Sequence, residues 1–411
     1  MKKVPRLRFR GFSEDWELCK FKGLLDEQDG IRRGPFGSAL KKAFFVENSE
    51  YVVYEQQNAI YDTYETRYKI SKEKFKELEK FSISEGDFIM SGAGTIGRIS
   101  RVPKGVAKGV FNQALIRFRT NTEVTDSEYF IQFVRADKMQ KKLTGANPGS
   151  AITNLVPMSE IKKWDILIPS KKEQILVGLF LKKLDNTITL HQRKLEQLKE
   201  LKKAYLQVMF PAKDERVPKV RFAAFEGEWA HRKLGEITES FSGGTPTAGK
   251  SEYYGGDIPF IRSGEISSDS TELFITENGL NSSSAKMVKV GDILYALYGA
   301  TSGEVGISKI TGAINQAILA IRPSKNDNSY LIIQWLRKQK NTIISTYLQG
   351  GQGNLSSSIV KNLIIMLPQN KEEQDKVGIF FKRLDDIITL HQNKLEQLKD
   401  LKTSYLQNMF I

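Results

Sequence analysis

Three glycines in the first half of the sequence have the spacing of a dinucleotide-binding loop. Gly92, Gly94 and Gly97 in "SGAGTIGRIS" spell G-x-G-x-x-G, which cradles a pyrophosphate when a strand precedes it and a helix follows it. "DFIM" before the glycines is typical of a strand. Pro103 and Gly105 come too soon after them for a helix. The segment therefore predicts strand, turn and strand, with the glycines serving the turn.

Other catalytic patterns are missing from the sequence. It contains no Walker A motif, no H-E-x-x-H and no G-x-S-x-G. His191, His231 and His391 are isolated from one another, and Cys19 is the only cysteine, so neither a metal cage nor a Cys/His nucleophile is predicted. We expect a chain with no catalytic residues, metal or cofactor of its own. An enzyme that relies on Asp, Glu, Lys or Tyr alone is the alternative.

The composition predicts a folded protein with a polyanionic partner. Of the 411 residues 40% are hydrophobic and 10% aromatic, enough for two or more domains with cores. The net charge of +14 favours nucleic acid, because Lys and Arg displace counterions from phosphates. No apolar run reaches the length of a membrane span, and "MKKVPRLRFRGF" lacks the apolar core of a signal peptide. With one cysteine, these features predict a cytoplasmic location.

The sequence contains two related copies of one segment order. Residues 174–210 align with 374–410, and about two thirds of the aligned positions are identical, which indicates an internal duplication. The opening segment 4–16 returns at 217–229. The glycine-rich segment 85–118 returns at 290–321, including an Asn-Gln-Ala triplet in each copy. The copies divide at a polar, proline-flanked linker, residues 211–220.

The two nearly identical segments predict long helices with one apolar seam each. Steps of four and three residues are typical of a coiled coil. A helix with one apolar seam needs a partner, and we expect the two copies within one chain to pair with each other; pairing between chains is the alternative. The predicted seam is Leu184, Ile188, His191, Leu195, Leu198, Leu384, Ile388, His391, Leu395 and Leu398. The two histidines are interpreted as packed polar residues that fix the register.

Between these helices the two α/β blocks differ from each other. "IRRGPFGSALKKAFF" in the first corresponds to "FSGGTPTAGKSEYYGG" in the second. Two nearly identical helices that are joined to two different blocks are the pattern of a scaffold that carries two different binding domains.

Several of these motifs together resemble the specificity subunit of a type I restriction–modification system. The resemblance covers the whole chain. It is carried by the openings Arg8 to Trp16 and Arg221 to Trp229, "GPFGS" (34–38), "GGTPT…YYGGDIPFIRSGEI" (243–266), "GDILYALYGATSG" (291–303), the "NQA" triplets, "GNLS" (353–356), and the helices that begin near "KKEQ" and "KEEQ".

The resemblance implies a fold of the α/β (α+β) class. Two duplicated target-recognition domains would be separated by a pair of long helices that form an antiparallel coiled coil. The expected bounds are 1–165 for the first recognition domain, 170–210 for the central helix, 211–220 for the linker, 221–368 for the second recognition domain and 370–411 for the C-terminal helix.

The resemblance also implies the partners. Each recognition domain would read one half of a bipartite, asymmetric site in double-stranded DNA, and the helices would set the spacing. Methyltransferase subunits, two of them, would dock on the helices and use S-adenosylmethionine. Restriction and translocase subunits would use ATP and Mg. The chain would act in the bacterial cytoplasm, away from any membrane, and perform no chemistry itself.

Side-chain chemistry nominates the DNA contacts. Arg and Lys suit guanine, and Asn and Gln suit adenine. The candidates are Arg32, Arg33, Lys41, Lys42, Gln57, Asn58 and Arg98 in the first block, and Lys250, Tyr254, Arg262, Ser263, Tyr298 and Ser302 in the second. Asn112, Gln113, Asn315 and Gln316 occur in both copies, so we expect them to support the backbone. Phe36 and Phe260 are expected to pack in the core.

Two further hypotheses stay open at this point. A structural adaptor would use the duplicated helices to organise proteins without reading DNA, but it leaves the basic charge without a role. An enzyme built on the glycine loop would bind NAD or S-adenosylmethionine.

Overall fold

The computed structural model describes residues 4–144, 156–348 and 354–411 and divides the chain into two units. The first unit is Met1–Gln192 with Asn393–Ile411, and the second is Arg193–Gln392. The division falls inside the two long helices, whereas the sequence places the copy boundary in the linker. Gly353 of the "GNLS" motif lies outside the described residues.

The first unit has the following elements. Its strands are β1 (Glu17–Lys20), β2 (Ile31–Arg33), β3 (Phe45–Val46), β4 (Tyr51–Tyr54), β5 (Tyr68–Ile70), β6 (Phe88–Ser91), β7 (Ile99–Arg101), β8 (Gly109–Phe111), β9 (Leu115–Phe118) and β10 (Asp165–Ile168). Its helices are α1 (Gln56–Tyr61), α2 (Lys72–Glu77), α3 (Ser127–Arg135), α4 (Asp137–Leu143), α5 (Met158–Ile161) and the start of α6 (Lys171–Val208).

The second unit repeats this order with differences. Its strands are β11 (Ala230–Lys233), β12 (Thr238–Ser242), β13 (Tyr254–Ile261), β14 (Phe274–Ile275), β15 (Lys286–Val288), β16 (Ile293–Ala296), β17 (Val305–Ile307), β18 (Gly312–Ile314), β19 (Ile318–Pro323) and β20 (Ile364–Leu367). Its helices are α7 (Leu234–Ile237), α8 (Glu277–Asn281), α9 (Ser329–Tyr347), α10 (Ser357–Lys361) and the start of α11 (Lys371–Met409).

The sheets show where the copies agree. One sheet has the order β2-β9-β6-β7 in the first unit and β12-β19-β16-β17 in the second, antiparallel throughout. A second sheet contains one parallel pair, β4 with β8 in the first unit and β13 with β18 in the second. Strand β8 is at the edge of its sheet, whereas β13 and β18 are the two central strands of theirs. The fold is therefore mixed α and β and duplicated, as predicted, and the first sheet gives a residue-by-residue correspondence between the units.

An ion pair between a half-buried arginine and a buried aspartate closes the same turn in both units. Arg119 donates to both carboxylate oxygens of Asp87 at 2.8 Å, and Arg322 donates to Asp292 at 2.8–3.1 Å. Each aspartate follows a glycine of positive φ, Gly86 and Gly291, in the turn before the central strand of the sheet. Charge-assisted hydrogen bonds of this kind stabilise the turn that precedes β6 in the first unit and β16 in the second.

The arginine of each opening segment holds the first turn of the long helix in its unit. Arg8 donates through Nε and Nη2 to Glu173, both at 2.8 Å, and Arg221 donates to Glu373 at 2.6 and 2.7 Å. Both glutamates are buried, with 1% of the residue exposed. The repeated opening motif is therefore a structural clamp that joins each opening segment to its helix.

The long helices pair within the chain and run antiparallel in each unit. In the first unit the rings of Phe180 and Tyr405 are 4.8 Å apart, and Lys402 bonds Asp185 at 2.5 Å. Residue numbers rise along α6 while they fall along α11. The second unit has the same pattern, with Lys202 on Asp385 at 2.6 Å. The predicted intramolecular, antiparallel pairing is confirmed.

The ten predicted seam positions have the following placement. In the first unit Leu184, Ile188 and His191 are half-buried, and Leu395 and Leu398 are buried. In the second unit Leu195, Leu198, Leu384 and Ile388 are buried, and His391 is half-buried. No helix among the described residues is long and apolar enough to cross a membrane.

Candidate nucleic-acid interface

Loops from distant parts of the first block meet at one edge of its sheets. Strands β2, β4, β6 and β8 end at this edge, and β7 and β9 begin there. The Gly34 amide donates to the Leu115 carbonyl at 3.0 Å, and the Gly92 amide donates to the Ala114 carbonyl at 2.7 Å. We call residues 34–40, 55–58, 92–98 and 112–114 the first loop cluster.

The same edge of the second unit carries an equivalent set of loops. The Gly244 amide donates to the Ile314 carbonyl at 3.2 Å, and the Leu297 amide donates to the Ala317 carbonyl at 2.8 Å. We call residues 243–250, 262–265, 297–304 and 315–317 the second loop cluster. Loops on a rigid strand frame are a common position for binding residues.

The glycine-rich segment is a hairpin between two strands. The Gly97 amide donates to the Ser91 carbonyl at 2.9 Å, and β7 follows directly. Gly94 and Gly97 have positive φ, at 62° and 84°. In the second unit the Gly303 amide bonds the Ala296 carbonyl in the same way. The strand, turn and strand prediction is confirmed, because strand β7 and not a helix follows the glycines.

The Asn-Gln-Ala triplets form the turn at the centre of each cluster. The Asn112 Oδ1 atom accepts the amide of Ala114, and the Asn315 Oδ1 atom accepts that of Ala317, both at 3.1 Å. These asparagines close their own turns, as the sequence suggested. Gln113 and Gln316 point outward and are exposed.

Most candidates of the first block lie in or beside the first loop cluster. Arg33, Lys41, Lys42 and Arg98 are exposed, and none of them forms an ion pair within the described part of the chain. Arg33 is oriented by a bond from Nε to the Gln113 carbonyl at 3.3 Å. These cations are available to a polyanion. Gln57, on the first turn of α1, is half-buried.

Arg32 belongs to an internal charge network. Its side chain bonds the Asp29 carboxylate at 2.7 and 2.8 Å. Burial alone would raise the pKa of Asp29, but the bonds from Arg32 and the fully buried Arg117 outweigh it, so this pKa is lowered. A contact between Arg32 and DNA would require this ion pair to open.

Asn58 is corrected from a DNA contact to a structural residue. It is fully buried, and its Oδ1 atom accepts the Glu55 amide at 2.7 Å. Its Nδ2 group donates to the carbonyls of Thr63 and Glu65, both at 2.9 Å. The amide is fully used inside the fold, because it caps the first turn of α1.

The candidates of the second block are more constrained. Lys250 is exposed and donates from Nζ to the Tyr253 hydroxyl at 3.2 Å, and Tyr254 donates to the Pro246 carbonyl at 2.7 Å. Ser263 and Tyr298 are half-buried in the cluster. Ser302 is buried and donates to the Leu297 carbonyl at 3.1 Å. Ser302 is therefore also corrected to a structural residue of the hairpin.

Arg262 is exposed but already engaged by a carboxylate. It donates from Nε and Nη2 to Glu265 at 3.1 and 2.7 Å. These hydrogen bonds lower the pKa of Glu265 to about 2 and raise the pKa of Arg262. Glu265 also accepts the Arg262 amide at 3.0 Å, so it caps a turn here as Asn58 does in the first unit. A base contact by Arg262 would have to compete with this pair.

The two phenylalanines expected in the core have opposite placements. Phe260 is 2% exposed, which confirms the expectation. Phe36 is 87% exposed, so the prediction that it packs in the core is wrong. The reason is local: Phe36 lies in the loop that leaves β2 toward solvent, between Gly34 and Gly37. The flanking glycines of "GPFGS" were the signal for a loop tip in the sequence.

The described residues do not form a metal site. No group of three or more His, Cys, Asp or Glu residues is placed to hold a metal ion anywhere in the described ranges. Both clusters instead present cations, amides and hydroxyl groups, which suit contacts with phosphates and base edges.

This chain is similar to specificity subunits of type I restriction enzymes. It is 29% identical over 195 residues to the MjaIX specificity subunit of Methanocaldococcus jannaschii, which covers 45% of this chain and 44% of that protein. It is 29% identical over 200 residues to the EcoR124I/EcoR124II specificity subunit of Escherichia coli, covering 44% and 49%. These alignments span less than half of each relative. The crystal structure of a type I restriction–modification S subunit from M. genitalium has the same fold, with a TM-score of 0.68 over 99% of both chains at 16% identity.

The duplication is also visible in the family comparison. The model described as "Type I restriction modification DNA specificity domain" matches residues 14–200 and, separately, residues 226–400. Together these matches cover well over half of the chain, which therefore belongs to the family of type I restriction–modification DNA specificity domains and carries two of them.

Proposed function

We propose that this chain is the DNA specificity subunit of a type I restriction–modification complex. The first loop cluster reads one half of a bipartite DNA site and the second loop cluster reads the other half. Because the two clusters differ in chemistry, the two half-sites differ in sequence and the site is asymmetric.

The observation that carries the proposal is one backbone frame with two different sets of outward side chains. The Ser91 amide bonds the Arg98 carbonyl at 2.8 Å, and the Ala296 amide bonds the Glu304 carbonyl at 2.9 Å. Arg98 and Glu304 therefore occupy the same position in the two hairpins, with opposite charge. A duplicated structural adaptor has no need for such divergence at the same exposed edge.

The charge of the chain supports a nucleic-acid partner. The net charge is +14, and Arg33, Lys41, Lys42 and Arg98 are exposed at or beside the first loop cluster. Exposed cations of this kind would hold the phosphates and set the register on the duplex, while a few side chains discriminate the bases.

The chemistry of the complex would be carried out by partner subunits. Methyltransferase subunits, two of them, would dock on the paired helices and use S-adenosylmethionine. Restriction and translocase subunits would use ATP and Mg. This chain would act in the bacterial cytoplasm as a non-catalytic component that chooses the DNA and sets the spacing between half-sites.

The test is a methylome. The chain is expressed with its neighbouring methyltransferase subunit in a host without other adenine methylation, and N6-methyladenine is mapped by single-molecule sequencing. We expect one bipartite, asymmetric motif that disappears when this chain is omitted. A host that expresses the methyltransferase subunit alone is the matched control.

The adaptor hypothesis makes a different prediction for the same experiment. It predicts a complex that co-purifies without a motif, and DNA binding that is weak and insensitive to salt. Binding of NAD or S-adenosylmethionine by the isolated chain would instead favour the enzyme hypothesis. Either result would contradict the proposed function.

A further inference from the structure

Phe36 is an exposed aromatic side chain on a firmly held loop. Any side chain at residue 34 would collide with the Asn112 carbonyl, and one at residue 37 would lie 3.1 Å from the Gln113 Oε1 atom. Pro35 between them is buried, and the Ala39 amide donates to the Phe36 carbonyl at 2.9 Å. The backbone therefore fixes the point at which the Phe36 side chain leaves the loop, and this residue is 87% exposed.

The strand register identifies the equivalent residue of the second unit. Arg33 pairs with Ile116 across β2 and β9, and Ser242 pairs with Leu319 across β12 and β19. Ile116 and Leu319 also pair with Met90 and Tyr295 on the next strand of their sheets. Arg33 and Ser242 are therefore equivalent positions.

Phe36 lies three residues after Arg33, and Thr245 lies three residues after Ser242, so we treat Phe36 and Thr245 as equivalent. Thr245 is exposed as well, and its hydroxyl donates to the Gln316 Oε1 atom at 2.7 Å. The residue after Phe36, Gly37, lies beside Gln113, and Thr245 lies beside Gln316. One position of the frame carries an apolar ring in one unit and a hydroxyl group in the other.

The surroundings of Phe36 favour a polyanion over an apolar protein surface. Residues 34–46, "GPFGSALKKAFFV", include two lysines and no carboxylate. Arg33 is exposed immediately before this segment and is oriented toward the same turn. An exposed ring among unpaired cations matches DNA, in which an apolar side chain can contact a thymine methyl group or a base face while cations contact phosphates.

We propose that Phe36 is a specificity-determining residue, whose ring packs against a base of the first half-site, and that Thr245 makes a polar contact at the same position of the second half-site. This inference rests on the proposed function. It adds a pair of equivalent positions at which the two units differ in chemistry and therefore in the base that they accept.

The experiment uses the complex of the full chain with its methyltransferase subunit and the motif found by the methylome. Phe36→Ala is compared with wild type, with Phe36→Leu as a partial rescue and Val124→Ala as the control. Val124 is also an exposed apolar residue of the first unit, but it follows the opposite end of β9. Affinity for the duplex is measured over a range of salt concentrations, and the methylome is repeated for each variant.

We expect Phe36→Ala to weaken binding of the specific site by about ten- to one-hundredfold, the usual range for one base contact. The slope of affinity against salt should not change, because an apolar contact releases no counterions. The methylated motif should become degenerate at one or two adjacent base pairs of one half-site. Phe36→Leu should retain part of the discrimination, and Thr245→Val should relax the other half-site only.

Three outcomes would overturn the inference. Unchanged affinity and motif in Phe36→Ala, with a specific wild type, would show that the ring contacts no base. A reduced salt slope would show that the variant disturbs phosphate contacts instead. Degeneracy in both half-sites would exclude a local role. Failure of the proposed function is distinguishable from all three, because the wild-type complex itself would then lack a motif. Because Phe36 is exposed, the thermal midpoint of Phe36→Ala should equal that of wild type.

Discussion

The two units use the same residues inside and different residues at their loop clusters. Asp87 with Arg119 and Asp292 with Arg322 close the same turn, and Asn112 and Asn315 close the same Asn-Gln-Ala turn. At the exposed positions of the loop clusters, Arg98 corresponds to Glu304, and Phe36 corresponds to Thr245. Internal bonds therefore fix the frame, while the exposed positions differ between the units. In the second unit two of these positions have local partners, Glu304 with Lys340 and Thr245 with Gln316.

The two units also differ in the number of hydrogen bonds that the buried glutamate at the start of each long helix accepts. Glu373 accepts bonds from Arg221 and from the Trp229 Nε1 group, the latter at 3.2 Å. Glu173 accepts bonds from Arg8, while the Trp16 Nε1 group has no partner among the described residues. The second unit thus has one more bond at this clamp.

The largest expected effect is from Glu373→Gln. Removing the carboxylate leaves the Arg221 charge without its partner in a buried site, which should destabilise the second unit by about 3–5 kcal/mol. In Glu373→Gln the one remaining acceptor oxygen must serve both Arg221 and Trp229, whereas in Glu173→Gln it serves Arg8 alone, so Glu173→Gln should cost about 1 kcal/mol less. Hydrogen exchange of each unit measures both values. Equal losses in the two variants would contradict the comparison.

A smaller effect is expected from Asp385→Asn. Asp385 accepts bonds from Lys202, Tyr330, Gln334 and Arg337. Burial alone would raise the pKa of Asp385, but the bonds from Lys202 and Tyr330 outweigh it, so its pKa is lowered. Loss of this charge should destabilise the second unit by about 2 kcal/mol at neutral pH, since Lys202 is left half-buried without a partner.

Asp185→Asn is the matched variant of the first unit. Asp185 bonds Lys402 and Gln132, and the nearest Arg135 nitrogen is 3.9 Å away. With fewer close partners, it should lose less stability than Asp385→Asn in denaturant unfolding. A larger loss in the first unit would show that helix pairing, rather than the number of bonds, sets the stability.

Charge reversal at a loop cluster should affect binding and leave the fold intact. Arg98→Glu gives the first hairpin the charge that Glu304 gives the second. We expect about a tenfold loss of DNA affinity and a salt slope reduced by about one. Fluorescence anisotropy over a salt series measures both. Lys104→Glu, with the same charge change at the opposite end of β7, should have a much smaller effect, and an equal effect would mean that net charge alone governs binding.

The smallest effect is a pH dependence that arises from Glu265 of the second unit. The pKa of Glu265 is lowered to about 2 by the bonds from Arg262. A lowered carboxyl pKa adds stability that is fully present above the ordinary value of 4.5 and is lost as the pH falls toward 2. Glu265→Gln should flatten this acid limb in thermal melts. The first unit has Asn58 at the equivalent turn and should show no such limb from this site.

Much of the fold could be predicted from the sequence because the signals were periodic or repeated. Steps of three and four residues predicted the helices, and the duplication predicted that they pair within the chain. Pro103 and Gly105 predicted a hairpin after the glycines. The helix and hairpin signals lie in neighbouring residues, and the duplication is found by comparing two segments of the sequence, so none of these signals depends on tertiary contacts.

The candidate site was harder to predict because residue type does not give direction. Asn58 was chosen for its amide and Ser302 for its hydroxyl, yet both groups are used inside the fold. Arg32 and Arg262 carry the expected charge but are engaged by Asp29 and Glu265. Phe36 was assigned to the core by its hydrophobicity, although its loop points outward.

By itself, the sequence determined that this protein has two related halves, a pair of helices and a basic charge, because composition and periodicity are properties of the chain. Only the tertiary structure decided which side chains face outward at the loop clusters. Residues 34–40, 92–98 and 112–114 lie far apart in sequence and meet because strands of one sheet end at the same edge. The residues that come together at this edge decide whether a polar side chain is already hydrogen-bonded inside the fold or is available to DNA.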